Sequence, residues 1–164
     1  MKNTLKNFWF YYKKHLLIGL AALLVLVYLG IQKISTDQPD YHIGLVRSDS
    51  LSEEAINGLE TAFTAAGCDL NGDGQVLVQI HSYYVDLADT SENAGVNNAE
   101  TVQALDADLI GGVSGMFLLE DVGTFQRITG GILTDEIIPL DNDLSLTIRK
   151  NASEAYFDLM QKFS

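Results

Sequence analysis

An uncharged apolar run at residues 16–31 constrains this chain more than any other feature, because its length and flanks are typical of a helix that enters a membrane. It reads LLIGLAALLVLVYLGI, with Lys13 and Lys14 before it and Lys33 after it. As a helix it would cover about 24 Å of the roughly 30 Å hydrocarbon layer. Aromatic residues at 8–12, which favour the membrane interface, and lysines whose ammonium groups extend to the headgroups can cover the remaining thickness. The sequence therefore predicts a single transmembrane helix, with the lipid bilayer as the partner of residues 16–31.

The flanks of this run favour a retained signal anchor over a cleaved secretory signal. The region before the run is long and aromatic, and no small-x-small cleavage pair follows it. Four lysines precede the run and one follows it, so the N-terminus is predicted to stay cytoplasmic. The predicted organisation is a basic and aromatic cytoplasmic collar at 1–15, the signal anchor at 16–31, a linker at 32–40 and an extracytoplasmic domain at 41–164.

Charge is distributed unevenly along the chain. The full sequence carries 10 Lys and Arg against 22 Asp and Glu, a formal net charge of −12. Residues 1–40 hold five of the cations and two of the acids, so residues 41–164 hold five cations and twenty acids, a net charge of −15. A domain of that sign lacks the basic surface that neutralises phosphates, which excludes nucleic acid as its partner. Anionic lipid fits only the basic collar.

The hydrophobic period of residues 41–164 switches repeatedly between that of strands and that of helices. Apolar and β-branched runs predict strands at 41–47, 75–85 and 116–119, and alternation at 144–149 predicts a half-exposed edge strand. Helical spacing predicts a first helix ending at Gly67, helices at 99–110 and 122–128, and a last helix at 155–163. This order predicts an α/β fold: a small three-layer domain with a mainly parallel sheet, following the single transmembrane helix.

Several local patterns recur in one known class of protein. They are the opening strand at 41–47, a helix ending Ala65-Ala66-Gly67-Cys68, Gly111-Gly112 before the strand at 116–119, and Gly131-Ile132-Leu133 followed by Ile138-Pro139-Leu140-Asp141. Across residues 41–141 the pattern resembles one lobe of the extracellular solute-binding proteins that deliver ligands to transporters. Members of that family close two lobes around a ligand, and residues 41–164 have room for one. The resemblance implies a binding domain that encloses its ligand with a second chain, or one that has lost transport delivery.

Polar side chains follow the first and third predicted strands. Ligands of α/β domains bind in the crevice beyond the carboxyl ends of the strands. The ligand-binding rim predicted on this basis comprises Arg47, Ser48, Asp49, Ser50, Glu120 and Asp121. Arg47 can bind a carboxylate or phosphate bidentately. The alternative is that Arg47 only forms an ion pair with Asp49, Glu120 or Asp121, and that Ser50 caps the first helix.

The segment 69–74 (DLNGDG) matches the first half of a calcium-binding loop, with oxygen ligands at alternate positions and Gly at the bend. Asp69, Asn71 and Asp73 are the candidate ligands, and no other cofactor is predicted. The twelfth position of such a loop is Ile80, where a bidentate Glu is required. A structural turn, in which Asp and Asn bind nearby backbone amides, is therefore favoured over a calcium site.

The sequence contains no complete catalytic motif of the kinds considered below. The Gly112-x-Ser114 segment is not a hydrolase nucleophile elbow, because position 116 is Met where Gly is required. His42 and His81 fall in predicted strands, outside any closely spaced Cys/His pair, so structural roles are expected. We therefore predict a non-enzymatic domain that binds a small solute or a protein. Two alternatives stay open: an accessory subunit of a membrane protein complex without its own ligand, and a hydrolase built on carboxylates such as Asp49 with Glu120.

Overall fold

The computed structural model describes residues 18–27, 38–87, 99–140 and 143–164. The chain divides into two compact units, Met1–Gln38 and Pro39–Ser164. In the first unit residues 18–27 are helical, and their large apolar side chains are each at least 51 % exposed. No helix within the described ranges is both long enough and apolar enough to cross a membrane. The predicted collar, both ends of the predicted span and linker residues 32–37 lie outside the described residues.

The second unit is a mixed α/β domain, which confirms the fold class expected from the alternating periods. Its elements in chain order are β1 (Tyr41–Arg47), α1 (Glu53–Ala66), β2 (Val78–Tyr84), α2 (Ala99–Gly111), β3 (Met116–Leu119), α3 (Val122–Ile128), β4 (Leu133–Pro139), β5 (Ser145–Arg149) and α4 (Glu154–Gln161). The strands predicted at 41–47 and 116–119 and the helix predicted at 122–128 coincide with β1, β3 and α3.

The five strands form one sheet in the order β2-β1-β3-β5-β4. The β1 strand pairs with β2 and β3 in parallel, whereas β5 is antiparallel to both β3 and β4. The sheet is therefore mixed, with β5 as the reversed strand. The prediction that residues 144–149 form an edge strand is wrong, because β5 lies between two other strands and buries Leu146, Thr147 and Ile148 in succession.

The β4 strand, which the sequence pattern does not predict, forms one edge of the sheet. Asp135 and Glu136 are exposed in its middle, and its pairing with β5 shifts register between Leu133 and Ile137. Acidic side chains and an irregular register are common at sheet edges, where they discourage pairing with another chain. The same features interrupt the alternation of apolar and polar residues from which a strand is predicted.

Helices cover both faces of the sheet, so the domain has three layers. Phe63 of α1 and Leu159 of α4 pack against one face of the sheet, in a cluster that includes Ile43 of β1. Leu105 of α2 and Phe125 of α3 pack in a separate cluster on the other face. Successive residues of a strand point to opposite faces, so β1, β2, β3 and β4 each contribute to both clusters, whereas the apolar residues of β5 lie in the first cluster.

The chain reverses its direction of travel across the sheet at β1. From β1 it passes through α1 to β2 on one side, and from β2 it passes through α2 to β3 on the other side of β1. The boundary between β1 and β3 is thus a topological switch point, where connections leave the sheet in opposite directions and open a crevice. This is the position at which the sequence predicted the ligand-binding rim.

Candidate functional site

A cavity of about 290 Å³ lies at the carboxyl ends of β1, β2 and β3. Its lining residues are Val46, Arg47, Ser48, Val85, Asp86, Leu87, Glu120 and Asp121. The strands end in register there, because Val46 pairs with Leu119 and Arg47 pairs with Tyr84. The volume is close to the lower limit, about 300 Å³, of small-molecule sites in proteins. The cavity brings together four of the six residues predicted for the rim.

Ser48 and Glu120 connect the segments that leave β1 and β3. The backbone amide and the hydroxyl of Ser48 both donate to Oε2 of Glu120, at 2.8 and 2.9 Å. The amide of Glu120 in turn donates to the carbonyl of Val46 at 3.2 Å. These bonds hold the Glu120 carboxylate at the mouth of the cavity through Oε2 alone. Its Oε1 atom takes part in neither bond, so the carboxylate retains an acceptor that a ligand can use.

Arg47 forms the ion pair that the sequence analysis named as the alternative to ligand binding. Its Nε donates to Oδ1 of Asp49 at 2.8 Å, and its Nη2 lies 2.6 Å from the same oxygen. The Arg47 side chain is 12 % exposed, whereas that of Asp49 is 71 % exposed. Its Nη1 atom is buried, and within the part of the chain that the structure describes it has no hydrogen-bond acceptor. Asp49 therefore neutralises Arg47 from the solvent side but leaves one guanidinium nitrogen unsatisfied.

Asp121 lines the cavity and also caps a helix. Its Oδ1 accepts the amide of Thr124 at 2.9 Å, at the first turn of α3. Hydrogen bonding to Thr124 lowers the pKa of Asp121, so this carboxylate stays ionised at neutral pH. Helix capping accounts for its position, and its charge still faces the cavity.

Two of the predicted rim residues do not line the cavity. Asp49 is turned to solvent, where it pairs with Arg47. Ser50 is exposed, and the expectation that it caps the first helix is wrong, since Ser52 is the N-cap of α1 and accepts the amide of Ala55 at 3.2 Å. The α1 helix starts two residues later than a cap at Ser50 would require.

The second strand also contributes to the cavity, although none of the predicted rim residues follows it. Val85, Asp86 and Leu87 follow β2 and line the cavity. The amide of Val85 donates to the carbonyl of Arg47 at 2.8 Å, which fixes this segment beside the end of β1. Because β2 is parallel to β1, its carboxyl end must lie at the same edge of the sheet, so the rule that predicts rim residues after the first and third strands also applies to residues 85–87.

The candidate calcium loop is organised by its own hydrogen bonds. Oδ1 and Oδ2 of Asp69 accept the amides of Gly72 and Gly74, at 2.6 and 2.8 Å. These backbone bonds lower the pKa of Asp69. Oδ1 of Asn71 accepts the amide of Asp73 at 2.8 Å. Among the described residues, no group of three or more His, Cys, Asp or Glu side chains is arranged to hold a metal ion. The observed bonds are those of the structural turn that the sequence analysis favoured.

A buried polar network surrounds Asp108 and involves none of the residues that line the cavity. Asp108 of α2 is 3 % exposed and accepts three hydrogen bonds. The donors are the Tyr83 hydroxyl at 2.6 Å, the Ser114 amide at 2.7 Å and the Ser114 hydroxyl at 2.5 Å. Burial and the bond to Asp108 raise the pKa of Tyr83 well above 10. The network ties α2 to β2 and to the segment before β3, which makes it a structural element of the domain.

His42 and His81 form a pair on neighbouring strands beside this network. Nδ1 of His42 lies 3.0 Å from Nε2 of His81, and the two rings are nearly parallel, with centroids 5.3 Å apart. Burial and the His81 ring lower the pKa of His42, and Asp108 opposes this shift. The two residues are 39 positions apart in the chain. Only the parallel register of β1 and β2 brings them together, so inspection of local spacing could not have paired them.

Comparison of the chain with protein-family models, with curated proteins and with solved structures finds no match. The functional interpretation therefore rests on the geometry of the site.

Proposed function

We propose that this chain is a membrane-anchored extracytoplasmic domain that captures a small solute in the cavity at the carboxyl ends of β1, β2 and β3. The observation that carries the proposal is the convergence on one cavity of side chains that follow three parallel strands. In open α/β sheets this crevice, at the switch point, is the usual position of a ligand. The resemblance to one lobe of a solute-binding protein agrees with this position.

The charges around the cavity indicate which solutes it would accept. Of the described residues that line it, Asp86, Glu120 and Asp121 are carboxylates and one, Arg47, is a cation, which Asp49 neutralises. The net charge of −15 over residues 41–164 adds to this local field. An anion would be repelled, whereas a cationic or neutral solute with hydrogen-bond donors would meet acceptors. The apolar part of the wall, at Val46, Val85 and Leu87, would hold the hydrocarbon portion of such a solute.

The proposed location follows from the N-terminal segment. Residues 16–31 carry no charge, and four lysines precede them while one follows. That asymmetry supports an orientation with the N-terminus in the cytoplasm and the α/β domain outside. Protease added to intact cells would then remove the domain. Resistance of the domain under conditions in which a known external protein is cleaved would contradict the proposed location.

Solute capture can be tested by thermal unfolding of the full-length chain in a non-ionic detergent. A panel of amines, amino acids, sugars and short peptides is added, and the midpoint is followed by circular dichroism. A solute present at about 100 times its Kd would stabilise the native state by about 2.7 kcal/mol. Glu120→Gln should abolish the shift, because it weakens the acceptor at the mouth of the cavity. Glu136→Gln on β4, at the far edge of the sheet, is the matched control and should retain the shift.

A different outcome would favour the accessory subunit. This outcome has two parts: no member of the panel shifts the unfolding midpoint, and the full-length chain co-purifies with one membrane protein in fixed stoichiometry. The domain would then be an accessory subunit of that membrane protein complex. A shift that persists unchanged in Glu120→Gln would place the solute elsewhere on the domain. Hydrolysis of a solute during incubation would instead support the alternative that the domain is a hydrolase built on carboxylates.

A further inference from the structure

An exposed apolar turn, residues 110–113, joins α2 to β3 and takes no part in the proposed capture. We infer that this turn, together with the adjoining Arg149 and Lys150, contacts the headgroup layer of a zwitterionic phospholipid bilayer. In this contact the apolar side chains of the turn enter the upper acyl region, and the two cations meet lipid phosphates. The inference rests on the proposed membrane anchor at residues 16–31 and adds a second contact with the same bilayer.

The first observation is the exposure of apolar side chains in a segment without charge. Residues 110–113 read IGGV, and all four are exposed. Ile110 is 88 % exposed and Val113 is 46 % exposed. Single exposed apolar residues are ordinary, but an exposed apolar patch with a polar rim is typical of a surface that meets a membrane or another protein. The turn thus presents two large apolar side chains beyond this end of the domain.

The backbone of the turn fixes this exposure. The amides of Gly112 and Val113 both donate to the carbonyl of Asp108, at 2.7 and 3.3 Å. The amide of Ser114 donates to Oδ1 of Asp108 at 2.7 Å. Gly112 has a φ of 66°, a left-handed conformation that favours glycine at the end of a helix. The outward position of Ile110 and Val113 therefore belongs to a well-bonded turn.

Two cations without a carboxylate partner adjoin the turn. The Arg149 guanidinium donates to the carbonyl of Leu109, and a Cβ atom on Gly112 would lie 3.7 Å from its Nη1. Nζ of Lys150 donates to the carbonyl of Gly131 at 2.6 Å. Both acceptors are neutral, and within the described ranges no carboxylate oxygen lies within 4.0 Å of either cation. Their positive charge is therefore available to an anionic group.

The space beside these cations suits a lipid phosphate. Arg149 and Lys150 line a cavity of about 220 Å³ together with Ile132 and Asn151. Lysine has three donors, and Lys150 uses one of them on Gly131. Charged donors of this kind bind phosphate oxygens. The net charge of −15 over residues 41–164 repels a strongly anionic surface, so a zwitterionic phospholipid, whose phosphate is balanced by its own amine, fits better.

The chain enters the domain at the same end of the sheet. The β1 and β3 strands are parallel, so the entry at Tyr41 and the turn before Met116 both lie at their amino ends. Seven residues, 32–38, connect the proposed span to Pro39, where the α/β unit begins. A short tether raises the effective concentration of the bilayer at this end. A contact of two apolar side chains and two cations can then form even though it is weak by itself.

The test uses the full-length chain reconstituted into phosphatidylcholine vesicles. Cys68 is exposed, so every variant carries Cys68→Ser, and Val113→Cys provides a single attachment site for a polarity-sensitive fluorophore. The emission of this label should shift to shorter wavelength and be quenched by phosphatidylcholine that carries a nitroxide in the upper acyl chain. Ser50→Cys, an exposed position beyond the carboxyl end of β1, is the matched control and should show neither effect.

Substitutions separate the apolar and the electrostatic contributions. Ile110→Asp should remove the quenching of the label at position 113, because a carboxylate opposes insertion. Ile137→Asp, which changes another exposed isoleucine on β4, should retain the quenching. Lys150→Gln should weaken it, whereas Lys150→Arg should retain it because the positive charge is kept. Anionic phosphatidylglycerol added to the vesicles should also weaken the quenching, and circular dichroism verifies that each variant is folded.

The inference would be overturned if the label at position 113 were quenched no more than the label at position 50. Undiminished quenching in Ile110→Asp would also overturn it, as would shielding of the label in native membranes but not in lipid vesicles, which would assign the turn to a protein partner. Flotation of the vesicles distinguishes these failures from failure of the anchor. A chain that does not float with the vesicles contradicts the proposed anchor, whereas a chain that floats with an unquenched label overturns the lipid contact alone.

Discussion

Replacing Tyr83 by Phe tests whether the buried network around Asp108 stabilises the domain. The change removes a single hydroxyl that donates to Oδ2 of Asp108 at 2.6 Å and keeps the aromatic ring in its cluster. Hydrogen bonds to a charged group contribute about 1.5–3 kcal/mol. In the variant, Asp108 still accepts two hydrogen bonds from Ser114, so its buried carboxylate remains partly satisfied. We therefore expect a loss of about 2 kcal/mol.

This loss should depend on pH in a way that the structure specifies. The pKa of Tyr83 is raised in the folded state by burial and by Asp108. A group whose folded pKa is raised contributes stability below its unfolded pKa, near 10, and loses that contribution as pH rises through the folded value. The difference between the parent and Tyr83→Phe should thus be constant from pH 7 to 9 and shrink above pH 10, as the parent loses stability.

The assay is urea unfolding of the full-length chain, followed by circular dichroism at several pH values. Tyr84→Phe is the matched control, because Tyr84 occupies the next position of β2 and points to the opposite face of the sheet. It should change the free energy of unfolding by less than about 0.5 kcal/mol. The reasoning would be refuted if Tyr83→Phe were as stable as the parent at pH 7, or if the two curves stayed parallel above pH 10.

Three further predictions concern other parts of the domain. Gly115→Ala should destabilise it by about 1–3 kcal/mol, measured by urea unfolding, because a Cβ atom would lie 2.5 Å from the Tyr156 ring. Asp40→Ala should cost about 1–2 kcal/mol and speed amide exchange at Leu70 and Leu77, because its carboxylate accepts amides from both at 2.7 and 2.8 Å. Millimolar calcium and a chelator should give the same melting temperature, since the Asp69 oxygens already accept backbone amides; a rise with calcium would instead establish the calcium site.

The fold could be predicted where one period dominated a segment. Ile56, Leu59 and Phe63 follow the spacing of a helix and lie in α1, and the apolar run of β3 has all four residues buried. The prediction failed where burial and polarity disagreed. Thr147 is polar yet fully buried, so the alternation around it suggested an edge strand. In β4 the exposed Asp135 and Glu136 interrupt the apolar pattern, which therefore does not predict a strand there.

The site was predictable to the extent that it follows from strand direction. Arg47, Ser48, Glu120 and Asp121 were found because residues after parallel strands must meet at one edge. The same rule applied to β2 would have added Asp86. The partners of His42 and Asp108 depend on register and on helix rotation, which are set by packing over the whole sheet. Such contacts across long separations cannot be derived from local periods.

The chain enters the α/β domain through β1, and this choice of strand has a mechanical consequence. β1 is hydrogen-bonded on both sides, to β2 and to β3. The carboxylate of the residue before it, Asp40, accepts three hydrogen bonds from backbone amides of the 69–77 segment. Tension applied at residue 38 along β1 would load two parallel ladders at once, in shear. A domain entered through an edge strand such as β4 could instead be opened one ladder at a time. The domain should therefore resist unfolding by force applied at its N-terminal end more than it would if the chain entered through an edge strand.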